Sequence, residues 1–457
     1  MAQKKIERLD TWPAWFTGKT INEPIFCREF LERHKLAYTE NSFFTTEGRV
    51  TNEDAMRQTI YQQLEPFIVT GMSKKVDDIM KDLRIKAQVT GLLPQTDRVH
   101  VQNGTVFLDG SFIEAQNEIV RSRFPVRFNP KVKKPERWLK FLSELFWPED
   151  IPTLQEFIGY CLIPSNAGQK MMVIKGSGGE GKSQIGHVLS RMFGPNAKDG
   201  SVGKISENPF ARADLEHIHL MIDDDMRLEA LKQTNYIKAI VTAKGKMDLE
   251  RKGKQSYQGF MYARILAFSN GDLVSLYDRS DGFFRRQLIL TTKRKPPDRI
   301  DDPNLSEKLC EEMEGIFLWA FEGLQRLVKN NFRFTESDQA RVNREAVKKD
   351  ANNVELFLES KGYITREPEC SISSKELGDV YHTWCEENAY PALKSKTLIE
   401  QLVANQEKYG IQYTTHLINS AGRQVRGFKG IGSLIKTSGY SSGGWQQVDP
   451  DDNPFKT

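Results

Sequence analysis

The chain has 457 residues, of which 39% are hydrophobic and 10% aromatic, enough for roughly two to four domains with packed cores. Its formal net charge of +4 is only mildly basic, so any contact with nucleic acid must come from local basic patches. No apolar run approaches the roughly 20 residues that a membrane-spanning helix needs, and the first residues lead into no signal-like core. We therefore expect a cytoplasmic protein without a membrane partner.

The cysteines and histidines indicate neither a disulfide framework nor a metal centre. The five cysteines are scattered and never form a C-x₂-C pair. The closest histidines, His217 and His219, lie at the start of a predicted strand, where alternate residues share a face. Because no third ligand is near them, we expect surface or core-edge histidines and not a metal site.

The first two regions of the chain predict structure but no chemistry. Residues 1–98 show a charge-rich helical pattern, which predicts a mainly helical region. Residues 99–108 alternate around Asn103-Gly104, a strong hairpin signal. This hairpin and two amphipathic helices predict a small domain over residues 99–169.

The most informative segment is residues 176–183, which fit the phosphate-loop pattern G-x-x-x-x-G-K-[ST] without a mismatch. An apolar run before the segment predicts a strand and the pattern after it predicts a helix, which is the context that the motif needs. The glycines allow backbone N–H groups to surround the phosphates of ATP, and the following helix directs its positive end at the same anion. The predicted nucleotide-binding residues are Gly176, Ser177, Gly178, Gly179, Glu180, Gly181, Lys182 and Ser183.

Two residues of the loop have specific predicted roles. Lys182 would reach the β- and γ-phosphates, and the Ser183 hydroxyl would complete a Mg²⁺ shell. ATP and Mg²⁺ are therefore the predicted cofactors. The alternative is a glycine-rich turn with an incidental lysine.

Strand and helix patterns alternate over residues 170–335 and predict a three-layer α/β domain around a parallel sheet. One predicted strand runs directly into Asp223, Asp224 and Asp225. Because this strand end lies at the crevice that holds the phosphates, we assign Asp223 to magnesium and Asp224 to the attacking water. The register is open by one residue, and an acidic helix start with Asp225 as the N-cap is the alternative.

Further polar residues follow at the ends of the remaining strands. Asn270 ends one strand and would hold the water or sense the γ-phosphate, with a simple turn asparagine as the alternative. Arg285 and Arg286 precede the last strand, where an arginine would neutralise transition-state charge on a neighbouring subunit's nucleotide. The sequence does not rank these two arginines, and a structural salt bridge is the alternative for at least one of them.

The order of phosphate loop, paired acids, asparagine and arginine between Gly176 and Arg286 resembles that of superfamily 3 helicases, the small AAA+ motors of viruses, phages and plasmids. The resemblance is strongest to their poxvirus and phage-satellite primase-helicase branch and covers most of residues 99–436. It implies an AAA+ core and ATP-driven translocation on single-stranded DNA by a homohexamer. The family often carries a glutamate in its acidic pair, where this chain has only aspartates, so the water-activating residue stays open.

The resemblance also implies a β-hairpin that projects into a central channel, at residues 246–259. A glycine turn with three cations there would grip a phosphodiester backbone without reading its sequence. The predicted DNA contacts are Arg251, Lys252 and Lys254, and Lys238 also matches a family lysine. A solvated charged turn is the alternative.

Residues 336–437 show three helical patterns and a two-stranded element, the order of a winged helix, before a disordered tail at residues 438–457. In the related branch such a module is associated with origin recognition, so origin duplex DNA is a predicted partner. A protein-docking winged helix is the alternative. The predicted contacts are Lys394, Lys396, Gln401, Arg423, Arg426 and Lys429.

The combined expectation is a three-layer AAA+ core, preceded by a mainly helical domain and followed by a winged helix, in a replicative helicase and initiator of a phage, plasmid or mobile genomic island. Only about 100 residues precede the hairpin domain, and they show no zinc cluster or acidic triad. We therefore expect a separate primase as a partner. The alternatives are an AAA+ switch that remodels proteins without processive unwinding, and an origin-binding protein with a degenerate ATP site.

Overall fold

The computed structural model describes residues 12–115, 117–226, 234–270, 281–350, 353–388, 390, 392–418 and 422–435. The chain divides into two compact units, Met1–Arg344 and Glu345–Thr457. The predicted tail lies outside the described residues. All five cysteines are free, and within the described ranges no helix has the length and apolar character needed to cross a membrane.

The first region of unit 1 contains helices and a small antiparallel sheet. The elements are α1 (Glu23–His34), β1 (Ala37–Thr39), β2 (Ser42–Thr45), β3 (Gly48–Arg49), α2 (Glu53–Leu64) and α3 (Met72–Lys86). The Asn52 side chain caps α2 by accepting a hydrogen bond from the Asp54 N–H at 2.8 Å. The strands were not predicted because each has two to four residues, too few to show an alternating pattern.

The predicted hairpin is confirmed and is followed by the two predicted helices. The elements are β4 (Arg98–Val101), β5 (Gly104–Phe107), β6 (Phe112–Ile113), α4 (Glu136–Leu145) and α5 (Ile151–Tyr160). Val101 pairs with Gly104, so the turn residues are Gln102 and Asn103. The turn therefore lies one residue before the predicted Asn103-Gly104 pair.

A five-stranded parallel sheet lies at the centre of unit 1, with strand order β13-β7-β12-β9-β8. This confirms the predicted α/β architecture with a parallel sheet. The short edge strand β8 was not predicted. The elements are β7 (Met171–Gly176), α6 (Lys182–Phe193), β8 (Ala197–Asp199), α7 (Val202–Glu207), α8 (Pro209–Ala213), β9 (Leu220–Asp223), α9 (Asn235–Thr242), β10 (Gly245–Leu249), β11 (Tyr257–Met261), β12 (Arg264–Asn270), α10 (Asp281–Phe284), β13 (Gln287–Thr291), α11 (Leu305–Cys310) and α12 (Met313–Lys329).

Two glycines allow α5 and α12 to pack closely beside this sheet. A Cβ atom added at Gly159 would lie 2.3 Å from the Ala320 carbonyl oxygen, and one at Gly323 would lie 2.5 Å from the Gln155 carbonyl oxygen. Both contacts are with backbone, which cannot move aside as a flexible side chain can. The helix pair therefore depends on the absence of a side chain at each position.

We expect Gly159→Ala to lower the free energy of unfolding by about 1–3 kcal/mol, because overpacking against backbone forces α5 and α12 apart. Gly203, on α7, is the matched control, since an added Cβ there would meet only the Ser201 hydroxyl at 3.5 Å. Gly203→Ala should leave stability unchanged or raise it by up to about 1 kcal/mol. Urea denaturation of both variants checks this, and equal effects at the two positions would contradict it.

Helix α13 (Asp338–Asp350) follows α12 and extends across the division between the units. Unit 2 then contains α14 (Asn353–Glu359), β14 (Ile364–Thr365), β15 (Ser371–Ser373), α15 (Ser374–Glu387), α16 (Ser395–Ala404), α17 (Gln406–Tyr409), β16 (Gln412–Ile418), β17 (Gln424–Lys429) and β18 (Gly432–Ser433). Strands β15, β17 and β16 form an antiparallel sheet. The helices pack on it through a core that includes Phe357, Tyr381 and Phe428. The three predicted helices and the hairpin are present, while the winged-helix assignment and the domain boundaries stay predictions.

Candidate functional site

The phosphate-loop segment connects the end of β7 to the start of α6, as predicted. Gly178, Gly179 and Gly181 have φ angles of +103°, +78° and +104°, which favour glycine over residues with a side chain. A Cβ atom added at Gly176 would lie 2.5 Å from Lys182 Nζ. The loop therefore needs glycine for its backbone conformation at positions 178, 179 and 181, and Gly176 leaves room for the lysine.

The sheet brings Asn270 next to this loop. Strand β12 lies between β7 and β9, and in its register Asn270 pairs with Gly176. Lys182 Nζ donates a hydrogen bond to Asn270 Oδ1 at 2.9 Å. The structure thus joins two residues that are 88 positions apart in the sequence.

Asp223 and Asp224 differ in burial and in their contacts. Asp223 is buried, and its carboxylate accepts hydrogen bonds from the Val202 N–H at 2.6 Å and the Asp225 N–H at 3.3 Å. Burial raises the pKa of Asp223 above its usual value. Asp224 is exposed and lines the same cavity as the loop. Of the two aspartates, Asp224 is therefore the one that lines the cavity.

The cavity has a volume of about 550 Å³ and both polar and apolar walls. Phosphate-loop residues 178–183, Asp224 and Asn270 line its polar side. Its apolar side is formed by Phe141 and Leu145 of α4 and by Ile300, Pro303 and Leu305 after the last sheet strand. Such a combination suits a ligand with an anionic end and a planar apolar end.

Arg299 is a cavity residue that the sequence analysis missed. Its Nη1 donates to the Glu180 carbonyl oxygen at 2.9 Å and its Nη2 to the Gly179 carbonyl oxygen at 3.0 Å. It also pairs with Asp301 at 3.0 Å. The only sequence signal for it is the charged, proline-containing segment that follows β13, which has no motif of its own.

The two candidate arginines differ in their surroundings. Arg285 is exposed, whereas the Arg286 guanidinium donates to the Gly282 carbonyl oxygen and its own carbonyl accepts from the Met171 N–H at 2.8 Å. Arg286 thus has a structural contact within its own subunit. Arg285 is the one of the pair that is exposed to solvent.

The hairpin predicted at residues 246–259 is present as β10 and β11, which pair antiparallel. Lys252 and Lys254 are exposed in the connecting loop, on either side of Gly253. Arg251, in contrast, donates to the buried carboxylate of Glu216 at 2.7 Å. Of the three predicted cations, two are exposed at the tip and one anchors the base of the loop.

The other predicted DNA-binding residues lie on exposed parts of the protein, apart from two. Lys238 is half-buried on α9, and Gln401 is half-buried on α16. In unit 2 the exposed residues are Lys394, Lys396, Arg423, Arg426 and Lys429. Lys396 lies 3.9 Å from Glu400 one turn later on α16. These exposed residues of unit 2 are all cations, and they lie at α16 and around β17.

His219 is a structural residue of the core. Its Nδ1 lies 3.0 Å from the Cys161 carbonyl oxygen and its Nε2 lies 2.9 Å from the Ser122 hydroxyl. Burial lowers its pKa to about 3. Both ring nitrogens are engaged, so the ring is neutral and is not available to a metal.

His217 belongs to a different buried cluster. Ligand atoms of Glu40, Glu216 and His217 all lie within 4.8 Å of one another. However, Arg121 donates to both Glu40 carboxylate oxygens at 2.9 Å and lies 3.1 Å from His217 Nδ1. A guanidinium already supplies the positive charge that a metal ion would bring.

Comparison with known proteins finds a match of one segment to a family of unknown function and a similarity in fold to solved structures. Residues 174–286 match the model of a family of unknown function, DUF5906. The segment runs from the phosphate-loop strand to Arg286 and so contains each predicted catalytic residue. No curated protein matches the chain.

Two solved structures are similar to the chain over most of its length. The apo structure of the NrS-1 C terminal region has 10% sequence identity and a TM-score of 0.51, covering 90% of this chain and 100% of that one. An A form apo structure of the same region has 10% identity and a TM-score of 0.50, covering 89% and 99%. At this identity the similarity concerns the fold alone.

Proposed function

We propose that this protein is an ATP- and Mg²⁺-dependent DNA helicase that initiates replication of a phage, plasmid or mobile genomic island. In this proposal it works as a homohexameric ring of AAA+ subunits and relies on a separate primase. The observation that carries the proposal is the arrangement of Lys182, Asn270 and Asp224 on one cavity. Lys182 begins the helix that follows β7, and Asn270 and Asp224 lie at the ends of β12 and β9, which are adjacent in the sheet. A glycine-rich turn with an incidental lysine would not require these partners.

The donors of the loop are suited to the phosphates of ATP. The Ser177 and Gly178 N–H groups and Lys182 Nζ all donate to one carboxylate, that of Glu180, so their geometry already accommodates an anion. The volume of about 550 Å³ falls within the roughly 300–1,000 Å³ of small-molecule pockets. The apolar wall around Phe141 suits a planar base.

The same cavity offers oxygen ligands of the kind that Mg²⁺ prefers. Ser183 and Asp224 both line it. Mg²⁺ held there would neutralise charge that develops on the transferred phosphoryl group. We therefore assign the magnesium shell to Ser183 and Asp224, one residue later than the sequence assignment of Asp223. Asp223 then serves to hold α7 against β9 through Val202.

This assignment predicts unequal effects at the two aspartates. We expect Asp224→Asn to reduce Mg²⁺-dependent ATP hydrolysis by about 10²- to 10³-fold, since it removes charge at the reacting phosphate. Asp223→Asn keeps an oxygen that can accept the Val202 hydrogen bond, and its turnover should fall much less. Phosphate release across a Mg²⁺ titration measures both. A larger loss at Asp223, with stability retained, would contradict the assignment.

For the DNA contact, the proposal depends on Lys252 and Lys254 at the hairpin tip. Each phosphate contact on a single strand contributes about 0.7 to the slope of log affinity against log salt. The double variant Lys252→Ala/Lys254→Ala should therefore lower the magnitude of that slope by about 1.4, and DNA should no longer stimulate ATP hydrolysis. Fluorescence anisotropy on single-stranded DNA at several salt concentrations measures the slope.

The matched control is Lys131→Ala/Lys133→Ala, which removes two exposed loop lysines with the same spacing. It should leave the salt slope unchanged. Equal slopes for the hairpin variant and the control would favour the alternative function, a protein-remodelling switch with the same ATP site. The rate without DNA is measured alongside, because a fall in that rate would indicate a folding defect.

Unit 2 is proposed to be the winged helix that binds origin duplex DNA. Its order of helices and hairpin and its exposed cations on α16 and β17 support this role. In a winged helix the third helix enters the major groove and the wing contacts the backbone. Lys394 and Lys396 at the start of α16, and Arg426 and Lys429 on β17, are the proposed contacts.

A further inference from the structure

Glu180 occupies the anion-binding position of its own phosphate loop. Its Oε1 accepts from the Ser177 N–H, and its Oε2 accepts from the Gly178 N–H at 3.0 Å and from Lys182 Nζ at 2.9 Å. The Glu180 side chain is only 3% exposed and that of Lys182 only 6%. A carboxylate this enclosed is fully engaged with the donors that a phosphate would need.

The loop stabilises this carboxylate in its charged form. Burial by itself would raise the pKa of Glu180, but the hydrogen bonds from Lys182 and from the loop backbone outweigh burial and hold the pKa below its usual value. At neutral pH the group is therefore an anion held by three donors. Charge-assisted hydrogen bonds of this kind are stronger than neutral ones.

Arg299 holds the loop in this conformation from outside. It binds the carbonyl oxygens of Gly179 and Glu180, on the two peptide units next to the buried carboxylate. Arg299 and Asp301 both line the cavity, so a ligand that enters the cavity contacts this support directly. Arg299 thus joins the loop to the segment that forms part of the apolar wall.

We propose that Glu180 is an intramolecular competitor of the nucleotide phosphates. A β-phosphate or γ-phosphate can take the Lys182 ammonium and the Ser177 and Gly178 N–H groups only after the Glu180 carboxylate has left them. Return of the carboxylate to the same donors then assists the release of ADP. This inference rests on the proposed ATP site and assigns a regulatory role to one residue within it.

The proposal predicts that removing the competing charge strengthens phosphate binding. Glu180→Gln should bind ADP and ATP at least about tenfold more tightly than the unmodified protein, the equivalent of one charge-assisted hydrogen bond. ADP should dissociate more slowly by a similar factor. The affinity for adenosine should stay the same, because adenosine has no phosphate to compete for Lys182. Glu180→Ala should act in the same direction.

Glu307 supplies the control for charge alone. It is exposed on α11, two residues after Leu305 of the cavity wall, and its carboxylate accepts from the Ser306 hydroxyl at 3.0 Å. Glu307→Gln removes one negative charge close to the cavity without freeing the loop donors, and it should change ADP affinity by less than about twofold because an exposed charge is screened. Titration calorimetry with ADP, ATP and adenosine, and stopped-flow release of a fluorescent ADP, provide the measurements.

The outcomes separate this inference from the proposed function. If the unmodified protein binds ADP but neither Glu180 variant binds it more tightly, or if Glu307→Gln gives the same gain, competition by Glu180 is ruled out while the ATP site stands. If the unmodified protein and both variants bind no ADP at millimolar concentration, the proposed ATP site itself is wrong, and the inference falls with it.

Discussion

Replacement of Lys182 by alanine will reduce ATP hydrolysis by about 10³-fold or more, because it removes the cation that contacts both the loop and Asn270. ATP affinity will fall as well, since Lys182 is also a hydrogen-bond donor at the position in the loop where a phosphate would bind. The measurement is steady-state phosphate release with saturating Mg²⁺, together with calorimetry for the affinity.

The matched control for this change is Lys140→Ala. Lys140 is an exposed lysine on α4, next to the cavity wall, and its partner is Glu144 at 3.9 Å. We expect its removal to leave turnover within about twofold, as expected of an exposed charge pair. A Lys182→Ala protein that is folded and still hydrolyses ATP at a normal rate would mean that the loop does not hold the reacting phosphates.

Replacement of Arg285 by alanine will lower ATP turnover by about 10³-fold or more, the contribution of an arginine that stabilises the transferred phosphoryl group in trans. Arg285 is exposed, whereas Arg286 donates to the Gly282 carbonyl oxygen, so we propose Arg285 for the contact with a neighbouring subunit. Arg294 is an exposed arginine that follows β13, the strand that Arg285 precedes, and Arg294→Ala is the control.

Mixing the two inactive proteins tests whether Arg285 acts between subunits. A Lys182→Ala subunit carries an intact Arg285, and an Arg285→Ala subunit carries an intact phosphate loop. Where a Lys182→Ala subunit lies beside an Arg285→Ala subunit in a ring, the arginine of the one and the phosphate loop of the other form one complete site. The mixture should therefore regain a measurable part of the lost turnover. Activity that stays at the level of the separate variants would show that Arg285 does not complete a partner's site.

The local geometry of the phosphate-loop segment was predictable because it depends on short-range signals. The glycines, Lys182 and their flanking strand and helix lie within one continuous segment. Asn270 was predictable as a neighbour because the carboxyl ends of parallel strands meet at one edge of a sheet. The hairpin of β10 and β11 was expected from the resemblance to superfamily 3 helicases, and the glycine turn with its cations agreed with that expectation.

The parts that were missed depend on contacts that no local pattern shows. Strand β8 has three residues and lies at the edge of the sheet, so it shows little periodicity. The burial of Asp223 goes with its hydrogen bond from Val202, 21 residues away, which no local pattern shows. Arg299 reaches the loop from a segment 120 residues later. Arg251 was predicted as a DNA contact because it lies among the cations of the turn. Its hydrogen bond to Glu216, 35 residues earlier, could not be predicted from the turn sequence.

Strand displacement on forked DNA tests the central claim, that hydrolysis at this cavity drives movement on DNA. Forks with only a 3′ tail and with only a 5′ tail are each incubated with ATP and Mg²⁺, with the unmodified protein and with Lys182→Ala. We expect the unmodified protein to separate the strands of one fork and Lys182→Ala to separate neither. ATP hydrolysis by the unmodified protein with no displacement on either fork, or displacement that survives Lys182→Ala, would contradict it.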